Sequence, residues 1–198
     1  MNILFFDTET TGKADFKAPP GPNQPELVQF AAMLVDDEAG RVLRATSVIV
    51  LPAGDIPEET VAIHGITPEM TRKYGVEPHA ALLWLWRTLK VTDLVVCHNV
   101  DFDMKIMRSE AIRNGHIALD RDLTKIDTFC TMHESAPLVR LPGKYNEFKW
   151  PKLSELHKFL FGEDFEGAHD ALTDVRATMR CYFGMKERQE DEREEAAE

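Results

Sequence analysis

Four consecutive apolar residues, Ile3-Leu4-Phe5-Phe6, run straight into Asp7-Thr8-Glu9, and this junction constrains the fold more than any other segment. An apolar run without alternation reads as a strand buried on both faces. Both faces must then be covered, so helices are required elsewhere in the chain. A chain of 198 residues with 43% hydrophobic content can build one domain of that kind.

The remaining segments supply the layers. Lys13 to Pro25 is proline-rich and reads as a loop. Leu27–Val35 and Val42–Leu51 flank a polar turn at Asp36 to Gly40, a hairpin that makes strands one to three a meander. Pro57-Glu58-Glu59-Thr60 opens a short helix that Gly65 ends, and Pro78–Lys90 is a helix with apolar Leu82, Leu83, Leu85, Trp86 and Leu89. Asp93–Cys97 is a second buried strand, Phe102–Asn114 a helix closed by Gly115, and Lys125–Met132 holds a short strand. Pro137–Pro151 reads as a loop, Leu153–Phe161 as a helix closed by Gly162, and a long last helix runs from about Asp170 into the charged tail. The expected class is α/β, with a mixed five-stranded sheet (a three-strand meander plus parallel strands) flanked by helices. Residues 1–185 form the expected domain and 186–198 an acidic tail, with three basic and seven acidic residues. No apolar run approaches bilayer length, so no membrane association is expected. The N-terminus lacks a signal-peptide pattern, and Cys97, Cys130 and Cys181 show no zinc spacing, which reads as free thiols in a reducing cytoplasm.

Three polar constellations sit at element junctions. Alternation puts Asp7 and Glu9 on one strand face, about 7 Å apart at the backbone, with Thr8 opposed. Two carboxylates at a buried strand end repel unless a proton or a hard divalent cation intervenes. Thr10-Thr11-Gly12 adds hydroxyls and a flexible point of close approach. His98-Asn99-Val100-Asp101-Phe102-Asp103 follows the second buried strand, beyond which open α/β sheets bind ligands. Spacing alone does not choose between Asp101 and Asp103. His169 and Asp174 would lie about 140° apart on one regular helix. They converge if His169 sits in the loop after Gly167, where the helix N-terminus favours a neutral imidazole suited to general base work. Together these groups are the inventory of a two-metal phosphodiesterase. The net charge of −11 argues against long-range tracking on nucleic acid but suits a site that holds its substrate through cations.

Asp7-Thr8-Glu9-Thr10-Thr11-Gly12, His98 to Asp103, and His169 with Asp174 resemble the three motifs of the DnaQ-like 3′–5′ exonucleases, in the subgroup whose third motif carries a histidine. The resemblance extends to the proofreading exonuclease subunits of bacterial replicative DNA polymerases. It implies an RNase H-like fold and selects Asp103, which follows the aromatic residue, over Asp101. By position, Asp7, Glu9, Asp103 and Asp174 would bind two divalent ions, Mg²⁺ or Mn²⁺, with His169 as general base. Ile63-His64-Gly65-Ile66-Thr67 resembles a segment lying over the terminal nucleotide, and Thr8, Thr10, Thr11, His64, Ile66, Asn99 and Phe102 would contact substrate. The implied partner is the 3′ end of a single-stranded nucleic acid, DNA ahead of RNA. The implied setting is a free-standing repair enzyme or a unit working with a DNA polymerase, as monomer or homodimer. The rival readings are an exoribonuclease and an idle binding module.

Two features depart from that pattern or add to it. Asp101 places an extra acid beside the strand-binding groove. Between Leu138 and Lys152, Arg140, Lys144, Lys149 and Lys152 interleave with Tyr145, Phe148 and Trp150, a composition that suits a single strand or a surface loop packed on the next helix.

Overall fold

The computed structural model describes residues 1–144 and 147–195. Its organising element is β1 (Asn2–Thr10), the middle strand of a five-stranded sheet in the order β3-β2-β1-β4-β5. β2 (Leu27–Asp36) pairs antiparallel with β1, Phe5 opposite Met33, and β3 (Arg41–Ile49) completes the meander. On the other side β4 (Leu94–Cys97) runs parallel to β1, and β5 (Asp127–Cys130) parallel to β4.

The unbroken apolar run of β1 has two cores to fill. Leu4 and Phe6 point to one side and pack with Leu82, Leu85, Ile106 and Met107 from α3 (Pro78–Leu89) and α4 (Val100–Arg113). Ile3 and Phe5 point to the other and pack with Ala171, Val175 and Tyr182 of α8 (Ala171–Glu195). Strand alternation therefore sends Asp7 and Glu9 towards α8 and Thr8 towards α4. The architecture is the mixed α/β sheet that the sequence implies, of the RNase H-like type. All three cysteines are buried and free. Among the described residues, no helix is long and apolar enough to cross a membrane.

Three short segments differ from the sequence reading. After α1 (Glu58–His64), a separate helix α2 (Pro68–Tyr74) begins at Thr67, whose hydroxyl accepts the Met70 N–H at 3.2 Å. α5 (Ile117–Leu123) spans seven residues and has no side-chain cap, which left no sequence signal. α6 (Thr131–Val139) occupies the start of the expected 137–151 loop and carries Pro137 inside it. One proline forfeits a single helical hydrogen bond. Leu138 and Val139 offset that loss by packing against Leu156 of α7 (Leu153–Phe161) and Met185 of α8. The last helix continues through Glu195, so most of the acidic tail is helical; 196–198 and Tyr145 of the basic-aromatic segment lie outside the described residues.

Candidate active site

The C-terminal end of β1 meets the N-terminal ends of α4 and α8, and the three sequence constellations converge there. Asp101 and Asp103 are two helical positions apart, roughly 200° around α4, so only one can face inward. Asp103 is the inward one, buried, with its carboxylate accepting the Thr8 hydroxyl at 2.8 Å; Asp101 is exposed. Thr8 is itself buried and spends its hydroxyl on Asp103. Its hydroxyl therefore holds a carboxylate in place.

On the opposite face, Glu9, His169 and Asp174 each offer one ligand atom, all within 4.8 Å of one another. His169 lies outside α8 with φ 70°, directly after Gly167-Ala168, and its backbone N–H donates to Asp174 Oδ2 at 3.0 Å. A positive φ at a non-glycine residue is strained and is tolerated where the surroundings fix it. Asp170 fixes it here by capping α8, accepting the Thr173 N–H at 3.1 Å and hydroxyl at 2.9 Å. Gln29 of β2 then clamps that cap to the sheet, donating to Asp170 at 2.9 Å and accepting the Ala171 N–H at 3.1 Å. Sequence reasoning passed over Gln29, although a lone amide inside the apolar strand Leu27-Val28-Gln29-Phe30-Ala31 was the available signal.

The electrostatics show how many negative charges have been collected. Burial, then the carboxylates of Asp103, Asp174 and Glu9, hold Asp7 well above the ordinary range. Burial and the neighbouring acids Asp174 and Asp103 push Glu9 up to about 8. Burial pushes Asp103 up to about 8 against the opposing hydrogen bond from Thr8. Burial also raises Asp174, opposed by the His169 N–H. Four carboxyls that all resist ionisation lack a counter-charge, and oxygen donors of this kind match a hard divalent cation. The residues present thus fit a divalent metal centre.

Two separate cavities border the cluster. One, of about 560 Å³, is lined by Glu9, Thr10, Lys13, Ile63, His64 and Phe102. Thr10 is pinned by its own hydroxyl to the Gly12 carbonyl at 2.7 Å, and Thr11 accepts the Glu26 N–H at 2.9 Å, which ties β1 to β2. His64 sits at the end of α1, just before Gly65 at φ 74°. Its Nδ1 accepts the Ile66 N–H at 3.0 Å, so Nε2 carries the hydrogen and meets no partner among the described residues. Burial lowers its pKa, with the Thr10 backbone opposing. Ile66 is buried in a small cluster with Val28 and Ile56, two residues beyond His64.

The second cavity, about 470 Å³, is lined by Asn99, Trp150, Lys152, Phe165, His169 and Asp174. Asn99, at φ 79°, starts α4 in the left-handed region. His98 is structural: its Nε2–H donates to the Pro151 carbonyl at 3.1 Å and Nδ1 accepts the Thr131 hydroxyl at 3.0 Å. Burial drives its pKa down to about 4. Trp150 is exposed and rests on the His133 ring of α6, with centroids 4.4 Å apart. Lys149 is paired with Glu155 at 2.8 Å.

This sheet and this cluster of acids define an exonuclease of the DnaQ-like 3′–5′ superfamily, and the chain belongs to that family: residues 4–182 match the Exonuclease (RNase_T) family. The chain is 31% identical over 185 residues to the uncharacterized exonuclease CP81 of Escherichia phage 186, covering 89% of this chain and 84% of that protein. It is 26% identical to the PolC-type DNA polymerase III of Pediococcus pentosaceus, of which it spans 12%. Among solved structures, E. coli exonuclease I in complex with a dA16 oligonucleotide superposes with a TM-score of 0.74 at 25% identity, over 96% of this chain and 42% of that one. The zinc-bound form of the E. coli exonuclease I–ssDNA complex gives 0.71 at 27% identity, over 95% and 41%. The chain thus spans about two fifths of the exonuclease I chains it matches.

Proposed function

We propose that this protein is a metal-dependent 3′–5′ exonuclease that hydrolyses the terminal phosphodiester bond of single-stranded DNA and releases nucleoside monophosphates. The observation that carries this reading is the convergence of Glu9, His169 and Asp174 within 4.8 Å, with Asp7 and Asp103 coupled to the same cluster. Asp7, Glu9, Asp103 and Asp174 would hold two Mg²⁺ or Mn²⁺ ions, which would neutralise phosphate charge and polarise the attacking water. His169, exposed and outside the helix, takes the proton from that water. Thr8 orients the Asp103 carboxylate from behind, and Gln29 steadies the Asp170 cap at the start of α8, the helix that carries Asp174. The terminal nucleotide occupies the cavity of Thr10, His64 and Phe102, where the free Nε2–H of His64 is a ready donor. DNA is placed ahead of RNA because exonuclease I, the structural relative, is described in complex with DNA oligonucleotides. The PolC likeness makes association with a DNA polymerase a natural second question. Residues 1–185 are read as the catalytic unit.

The test is cleavage of 3′-labelled and 5′-labelled single-stranded DNA with Mg²⁺, Mn²⁺ or EDTA, comparing wild type with Asp7→Ala and running RNA in parallel. Metal-dependent release of mononucleotides from the 3′ end, lost in Asp7→Ala, is expected. Absence of cleavage on both DNA and RNA sinks the proposal.

A further inference from the structure

We infer that Phe16 and Lys105 form a base-stacking platform for the strand upstream of the cleaved bond, an inference that rests on the exonuclease reading. Phe16 lies in the proline-rich loop of residues 13–25 and is 58% exposed. That exposure is not the result of a loose loop. Asp15 N–H donates to Gln24 Oε1 at 3.0 Å, and Gln24 Nε2 returns to the Asp15 carbonyl at 2.9 Å. Lys105 reaches the Ala18 carbonyl at 2.6 Å, Ser109 accepts the Gly21 N–H at 3.1 Å, and Arg113 donates to the Gln24 carbonyl at 2.7 Å. Lys105, Ser109 and Arg113 are spaced four apart, one stripe of α4 fastening the whole loop. Prolines 19, 20, 22 and 25 further restrict it. A large apolar ring held outward on a rigid mount marks a binding surface.

Its position says what it binds. Phe102 lines the cavity assigned to the terminal nucleotide, and Lys105 is its neighbour one turn along α4. The Lys105 ammonium lies 5.2 Å from the Phe16 ring centroid, which sets Phe16 beside the helix that carries Phe102 and Lys105. In-line hydrolysis requires the leaving strand to depart opposite the attacking water. His169 borders a different cavity from Phe102, and the departing strand is accordingly assigned to the Phe102 side. Lys13 and Lys17 flank Phe16, are exposed, and take part in no ion pair among the described residues. The intervening Asp15 carboxylate is turned to the Lys17 N–H at 2.9 Å. Aromatic faces for bases with cations for phosphates are the means by which single strands are held without sequence preference.

The test measures binding of DNA twelve-mers carrying 2-aminopurine at the second, third or fourth position from the 3′ end, with Ca²⁺ in place of Mg²⁺. Stacking quenches the fluorescence at one of these positions in wild type. Phe16→Ala abolishes that quench and weakens twelve-mer binding about 5- to 150-fold, while binding of a deoxynucleoside monophosphate, which reaches only the terminal cavity, is unchanged. Phe16→Tyr retains the effect, and Phe16→Leu, apolar but without a π face, does not. Unchanged twelve-mer affinity in Phe16→Ala overturns the proposal, as does full rescue by Leu, which would point to an apolar protein partner. Binding and quench without any Mg²⁺-dependent cleavage would instead remove the exonuclease reading and leave the platform standing.

Discussion

Replacing Glu9 by Gln in the metal-free protein isolates the charge crowding of the site. A carboxyl whose folded pKa lies above its unfolded value stabilises the fold fully below the unfolded value, and that stabilisation is lost as pH rises through the folded value. For Glu9 the window runs from an ordinary 4.5 to about 8. Within it this one group removes at most about 1.4 kcal/mol per pH unit. Its partial exposure reduces the total to a few kcal/mol across the window. Asp103, also near 8, and the raised Asp7 and Asp174 act in the same direction. At about 2–4 °C per kcal/mol for a chain of this size, wild type in EDTA should lose on the order of 10 °C of Tm between pH 5 and pH 8. Glu9→Gln should lose distinctly less and be the more stable protein at pH 8. Millimolar Mg²⁺ should restore wild type at pH 8 and help the variant little. Scanning calorimetry at the two pH values, with EDTA and with Mg²⁺, reads all of this. A flat wild-type profile in EDTA, or an equal slope in Glu9→Gln, would refute the view that these carboxyls await a cation.

Other substitutions probe single contacts. Thr8→Val removes the hydroxyl on Asp103 while keeping shape, and should raise the Mg²⁺ concentration for half-maximal cleavage about 10- to 100-fold; a metal titration of activity checks it. His169→Ala should lower kcat about 10²- to 10⁴-fold and leave the apparent affinity for a labelled strand near wild type, as steady-state kinetics and fluorescence anisotropy would show. His98→Ala cuts both hydrogen bonds that join β4 to α6 and Pro151, and should cost about 1–3 kcal/mol in urea unfolding without removing any ligating group.

The sequence disclosed most where a pattern has only one physical solution. The unbroken run Ile3 to Phe6 demanded two covered faces, and two cores are what it fills. The 140° mismatch between His169 and Asp174 demanded that the histidine leave the helix, and it does so at φ 70°. Asp101 and Asp103 stayed equivalent on spacing, because only the rotation of α4 against β1, fixed by packing, turns one inward. α6 was hidden by Pro137, whose local preference is outweighed by tertiary contacts of Leu138 and Val139. The roles of Thr8 and Gln29 were hidden because each acts on a residue far along the chain, and such pairings leave no trace in local periodicity.

The distance along the chain between the two halves of the site carries a consequence for biosynthesis. Asp7 and Glu9 belong to β1, whereas His169 follows Glu9 by 160 positions. At about 5–20 residues per second, translation separates them by ~10–30 s. Throughout that interval the nascent chain carries half a catalytic centre. Aborted or clipped products that lack α8 lack the other half. On the proposed reading, hydrolytic capability is thereby coupled to the synthesis of α8.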